Sequence, residues 1–92
     1  MNISSNPAMV HKPLGKYCHT TLVPANAKWL VLSGQVGIDK KGNLANGIRK
    51  QTDQTLRNIV SCLRDQGMRK SDLVKTTVYL TDSRFIEDYR LA

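Results

Sequence analysis

The sequence predicts an α+β fold, built in the order strand, strand, helix, strand, helix. Three stretches predict it. Trp29, Leu30, Val31 and Leu32 form an unbroken apolar run, too short for a core helix and suited to a strand covered on both faces. Leu73 to Leu80 alternates, with Val74, Thr76, Val78 and Leu80 on one face and Lys75, Thr77 and Tyr79 on the other. Between them, from about Ala45 to Gln66, Ile48, Leu56, Ile59, Val60, Cys62 and Leu63 fall within one helical arc of roughly 160°.

Residues 1–13 read as a loose lead-in ending at Lys12-Pro13. Gly15 to Val23 has the β-branched and aromatic content of a first strand. Pro24-Ala25-Asn26-Ala27 is a turn, so Lys28 to Ser33 is expected to return antiparallel as a hairpin. Ser33-Gly34 ends that run. A small hydroxyl followed by glycine allows a ligand or another backbone to approach closely. Asp39-Lys40-Lys41-Gly42-Asn43 is a second polar turn. In the helix that follows, Asn46-Gly47 weakens the first turn, Asp53 precedes Arg57 in the favourable four-residue order, and Gly67 is placed to end the helix in left-handed conformation. Ser71-Asp72 makes a turn. Thr81-Asp82-Ser83 offers N-cap side chains to a second helix, with Glu87 in its first turn and Phe85, Ile86 and Tyr89 on its apolar side. The 28–33 strand, the long helix and the 73–80 strand have the order of a right-handed crossover.

Composition narrows the function classes. The chain has 92 residues, one domain with a small core, and association between copies is a natural source of further burial. Two cysteines, Cys18 and Cys62, make no disulfide framework and fit a reduced cytoplasmic chain. The polar start Met-Asn-Ile-Ser-Ser-Asn-Pro has no apolar core of a signal peptide, and the apolar runs are far shorter than the roughly 18 residues of a membrane helix. With two histidines and no short ligand spacing, a metal site is not expected. The net charge of +7 permits nucleic acid or anionic metabolites as partners without choosing between them.

Four pieces standing in order carry a family resemblance: Gly15-Lys16-Tyr17, Leu32-Ser33-Gly34-Gln35, Gln54-Thr55-Leu56-Arg57-Asn58-Ile59, and Asp72-Leu73-Val74-Lys75-Thr76-Thr77-Val78-Tyr79-Leu80-Thr81-Asp82. Together they resemble the YjgF/RidA family, also called the L-PSP endoribonuclease or translation-inhibitor-like family, over nearly the whole chain from residue 14. The resemblance implies a Bacillus chorismate mutase-like fold, a sheet with two helices on one face. It implies a homotrimer with a cleft at each subunit interface, and hydrolysis of enamine and imine intermediates such as 2-aminoacrylate to a 2-keto acid and ammonia. No metal or organic cofactor is implied. The family chain continues beyond position 92, into strands of its sheet, an arginine that clamps the substrate carboxylate and an acidic residue near the attacking water. By the resemblance the C-terminal strands are missing from this sequence and its activity is impaired.

On the matched positions the resemblance makes Tyr17, Ser33 and Gly34 the substrate-binding residues, facing a small carboxylate-bearing metabolite, and places no catalytic residue within the chain. Each also has a plainer reading: Tyr17 as a strand aromatic at a subunit contact, Ser33-Gly34 as strand-end punctuation. Cys18 and His19 are neighbours on a strand and point to opposite faces, which prevents joint action on one substrate. Lys75 is best explained as a sheet-face lysine. Arg84 and Arg90 fit the solvated face of the second helix. The stripe Lys50, Arg57, Arg64, with Arg49, Arg69 and Lys70 near it, is the argument for RNA. It lies opposite the apolar arc, Asp53 and Asp65 interrupt it, and no aromatic set interleaves for base stacking. RNA cleavage or translation inhibition is therefore the alternative to imine hydrolysis, and a non-catalytic metabolite-binding oligomer is the third class.

Overall fold

The computed structural model describes residues 2–91, and the chain divides after Leu30 into two compact units. Strands lie in the first and helices in the second. The α+β class holds in that form.

In the first unit β1 (Ile3–Ser5) pairs antiparallel with β2 (Thr20–Leu22), Ile3 opposite Leu22 and Ser5 opposite Thr20. The pair is short because both strands are polar and mostly exposed. Side chains reinforce it: the Thr20 hydroxyl donates to the Ser5 carbonyl at 3.2 Å, and the His19 amide donates to Asn6 Oδ1 at 2.8 Å. The segment read as a lead-in thus supplies the partner strand. The expected strand from Gly15 to Val23 contracts to three residues. The turn at Pro24 forms, closed by the Ala27 amide on the Pro24 carbonyl at 3.2 Å.

The expected strand at 28–33 is not formed, and neither is its hairpin with the first. Residues 28–33 enter no ladder among the described residues, and the boundary between units falls inside the apolar run. Trp29 is 67% and Val31 87% exposed, the reverse of burial on both faces. The strand at 73–80 is likewise unpaired, with Tyr79 91% exposed, so no parallel crossover exists among the described residues. The physical reason is common to both. Alternation and apolar content equip a segment for a sheet, but a strand needs the N–H and C=O groups of a neighbour, and among the described residues neither segment meets one.

The second unit is built on α1 (Ile48–Asp65). Its ends follow the sequence closely. Gly47 precedes it with φ +85°. At the other end Gly67 has φ +70°, its amide bonds the Arg64 carbonyl at 3.0 Å, and the Met68 amide bonds the Leu63 carbonyl at 2.8 Å. This is a Schellman closure, which satisfies carbonyls the helix leaves open. Leu63 is 4% and Thr52 8% exposed, both on the arc assigned to the core. Thr52 sits mid-arc, a polar residue among the apolar ones that mark the arc. The Asp53–Arg57 ion pair forms at 3.0 Å, between exposed groups where such pairs contribute little.

The loop leading into α1 is tightly made. Asp39 Oδ1 accepts from the Lys41 and Asn43 amides, both at 2.9 Å, which brings Ile38 and Leu44 into an antiparallel bridge. After α1, a 3-10 turn over Lys70–Asp72 and another over Ser83–Phe85 lead to α2 (Ile86–Leu91). Asp82 caps the second turn by accepting from the Arg84 amide at 2.8 Å. The Arg84 guanidinium first, then that amide, hold the Asp82 carboxyl below its usual range. An exposed Arg49–Asp88 pair at 3.5 Å joins α1 to α2. No helix among the described residues is long and apolar enough to cross a membrane.

Candidate functional site

The three binding candidates fall into both units. Tyr17 belongs to the first, and Ser33 and Gly34 to the second.

Tyr17 follows a tight turn in which its amide bonds the Gly15 carbonyl at 3.0 Å. Its hydroxyl accepts from the Leu14 amide at 3.3 Å, leaving the phenolic hydrogen to donate elsewhere. The ring is 53% exposed. It lines an open depression of about 650 Å³ together with Asn6, Val10, His11 and Lys12. Beside it His19 packs edge to face on Tyr17 at 5.8 Å and on His11 at 5.1 Å. His19 Nε2 donates to the His11 carbonyl at 2.6 Å, and His11 Nδ1 to the Lys12 carbonyl at 2.8 Å. A carbonyl only accepts, so each ring carries its hydrogen on that nitrogen. This aromatic group was not anticipated: nothing in the spacing of His11, Tyr17 and His19 brings them together until the 6–19 loop is folded.

Cys18 and His19 lie just before β2, outside the strand on which they were expected. Cys18 Sγ lies 3.5 Å from the Thr21 hydroxyl. That hydroxyl, and then the Ser4 hydroxyl, hold the thiol below its usual range, while desolvation opposes them. Among the described residues no three His, Cys, Asp or Glu side chains converge as metal ligands would.

Ser33 and Gly34 are exposed. A methyl group built at Gly34 would meet no atom within 4 Å, so the space beside it is open. Gln35 Nε2 donates to the Ser33 carbonyl at 3.2 Å. The close approach expected of a glycine here occurs three residues on. Gly37 is buried, and a Cβ there would stand 2.6 Å from Gln51 Cα. Chemically the three candidates supply hydroxyls and a backbone N–H. They hold no fixed positive charge and no carboxyl group.

Residues 8–90 match the family model described as Endoribonuclease L-PSP. A RutC family protein of Aquifex aeolicus is 34% identical over 71 residues, 76% of this chain and 54% of its own length. A RutC family protein of Buchnera aphidicola is 35% identical over 83 residues, 89% of this chain and 62% of its own. A 2-iminobutanoate/2-iminopropanoate deaminase of Salmonella typhimurium is 35% identical over 54 residues, 58% of this chain and 42% of its own. The chain therefore spans about half the length of these curated relatives. No solved structure matches it.

Proposed function

We propose a function from one premise, that the chain belongs to the Endoribonuclease L-PSP family. Its residues form the binding wall of a RidA-like enamine/imine deaminase, which converts 2-aminoacrylate-type intermediates to 2-keto acids and ammonia. The observation that carries the reading is the family match over 8–90, which contains Tyr17, Ser33 and Gly34. The relative named 2-iminobutanoate/2-iminopropanoate deaminase supplies the reaction class.

In the imine tautomer, water adds to the C=N carbon, a proton passes to nitrogen, and ammonia departs as the carbonyl forms. The carboxylate must be held meanwhile, and a positioned acid or base must move the proton. The Tyr17 and Ser33 hydroxyls and the Gly34 amide hydrogen-bond and orient. An arginine fork for the carboxylate and an acidic shuttle, which the resemblance places beyond position 92, complete the site. Residues 1–92 alone therefore bind and do not turn over. The working form is a cytoplasmic homotrimer with a chorismate mutase-like sheet, in which the exposed Trp29 and Val31 pack against another copy. Sedimentation is expected to show an oligomer, most simply a trimer. A stable folded monomer at micromolar concentration contradicts that.

The binding claim is tested by titrating the protein with pyruvate, a 2-keto acid product, and following amide resonances. Shifts are expected at Tyr17, Ser33 and Gly34, with a Kd on the order of 1 mM or weaker, and Ser33→Ala should weaken them. Saturable shifts confined to other residues would remove these three from the site. RNA cleavage remains the second reading, favoured by the exposed Lys50, Arg57 and Arg64. Arg57 is already paired with Asp53, and salt-resistant RNA retention lost on changing all three to glutamine would promote it.

A further inference from the structure

Ser33 and Gly34 are useful as a binding wall only if the backbone that carries them is held in place. Asn58 of α1 bonds the segment that follows, with Gln54 and Gln51 acting through Asn58 and Ala45. Gln51, Gln54 and Asn58 stand at spacings of three and four, on one helix face. The Asn58 amide donates twice, to the Val36 carbonyl at 3.1 Å and the Ile38 carbonyl at 3.0 Å. Gln54 Nε2 donates to Asn58 Oδ1 at 2.9 Å. Two carbonyls can be met only by the NH₂ side of an amide, so the remaining oxygen must face a donor, which is what Gln54 presents. The orientation of Asn58 is thereby determined from both sides.

The segment it grips is a three-residue turn. The Ile38 amide bonds the Val36 carbonyl at 2.8 Å around Gly37, whose φ is not positive, which makes it an inverse γ-turn. The Gly37 carbonyl accepts from the Ala45 amide at 2.8 Å, and Gln51 Nε2 donates to the Ala45 carbonyl at 3.1 Å. One amide side chain thus bridges alternate carbonyls as a neighbouring strand would, at the point where the chain leaves Ser33-Gly34-Gln35.

We propose that Asn58 is a positioning residue for the binding wall, holding the 36–38 turn on α1 so that the Ser33 hydroxyl and Gly34 amide keep one orientation; this rests on the deaminase-type reading of Ser33 and Gly34. Asn58→Asp retains size and the acceptor for Gln54 but replaces the double donor with an oxygen facing two carbonyls. In the ligand-free protein it is expected to speed hydrogen exchange at the Ile38 and Ala45 amides by about tenfold or more, to move the Ser33 and Gly34 resonances, and to leave mid-helix exchange of α1 unchanged. In the pyruvate titration it should raise the Kd at least threefold. Gln54→Ala, which frees the Asn58 amide to turn over, should move the same resonances in the same direction by less, and decides the matter if Asn58→Asp does not fold. Unchanged Ser33 and Gly34 resonances and exchange in folded Asn58→Asp overturn the positioning role, as does uniform acceleration of exchange across α1. Absence of pyruvate binding in the unaltered protein counts instead against the deaminase-type reading, since the ligand-free measurements still report on Asn58.

Discussion

Replacing Gly37 with alanine is expected to destabilise the second unit by about 1–3 kcal/mol, the usual cost of forcing a methyl group into filled space. The added carbon would stand 2.6 Å from Gln51 Cα and 2.8 Å from both Gln51 Cβ and the Gln51 carbonyl oxygen. Two of those atoms are helix backbone, which cannot swing aside as the end of a side chain can. Relief requires the 36–38 turn to lift from α1, which lengthens both Asn58 hydrogen bonds. Gly34→Ala is the control. It meets nothing within 4 Å and its φ is not positive, so its effect on stability should be a few tenths of a kcal/mol, or slightly favourable through the unfolded chain. Urea midpoints compare the two directly. Equal midpoints would mean that Gly37 does not touch α1 in solution. Ligand binding separates from stability at the control: Gly34→Ala crowds the open side of the wall and should weaken pyruvate even though the protein stays folded.

Much of the second unit was legible in the sequence because its determinants are local. Ile48–Asp65 lies within the stretch marked by the apolar arc, and Gly67 closes it in the left-handed conformation expected of a glycine there. The Asp39 turn, the Asp53–Arg57 pair and the Asp82 cap are all set by residues within four positions of one another. Strands are different. Alternation says which face a side chain takes but not which segment supplies the ladder. Ile3–Ser5 pairs with Thr20–Leu22 on little β-propensity of its own, whereas Leu73–Leu80, with far more, pairs with nothing among the described residues. The site divides in the same way. Tyr17, Ser33 and Gly34 could be named because they match family motifs. Asn58 could not be given its task, because its acceptors lie 20 and 22 residues away and a polar residue beside an apolar arc looks like helix surface. The Gln54–Asn58 spacing of four, a known pairing on helices, was the one local signal.

The largest effect expected is on turnover. Hydroxyls and a backbone amide orient a substrate but neither clamp its carboxylate with fixed charge nor pass the proton that imine hydrolysis needs. Supplying both amounts to positioning plus general acid–base catalysis, and the latter alone contributes about 10²–10⁴-fold. The decisive measurement is a coupled assay in which an amino-acid dehydratase generates 2-aminoacrylate in situ and pyruvate formation is followed. The 92-residue chain should leave the rate at its uncatalysed value. The same chain, extended by the C-terminal segment of the Salmonella typhimurium 2-iminobutanoate/2-iminopropanoate deaminase, should accelerate it by about 10²-fold or more. Robust acceleration by the 92-residue protein itself, abolished by Tyr17→Phe or Ser33→Ala, would contradict this and place a catalytic group among the residues assigned only to binding.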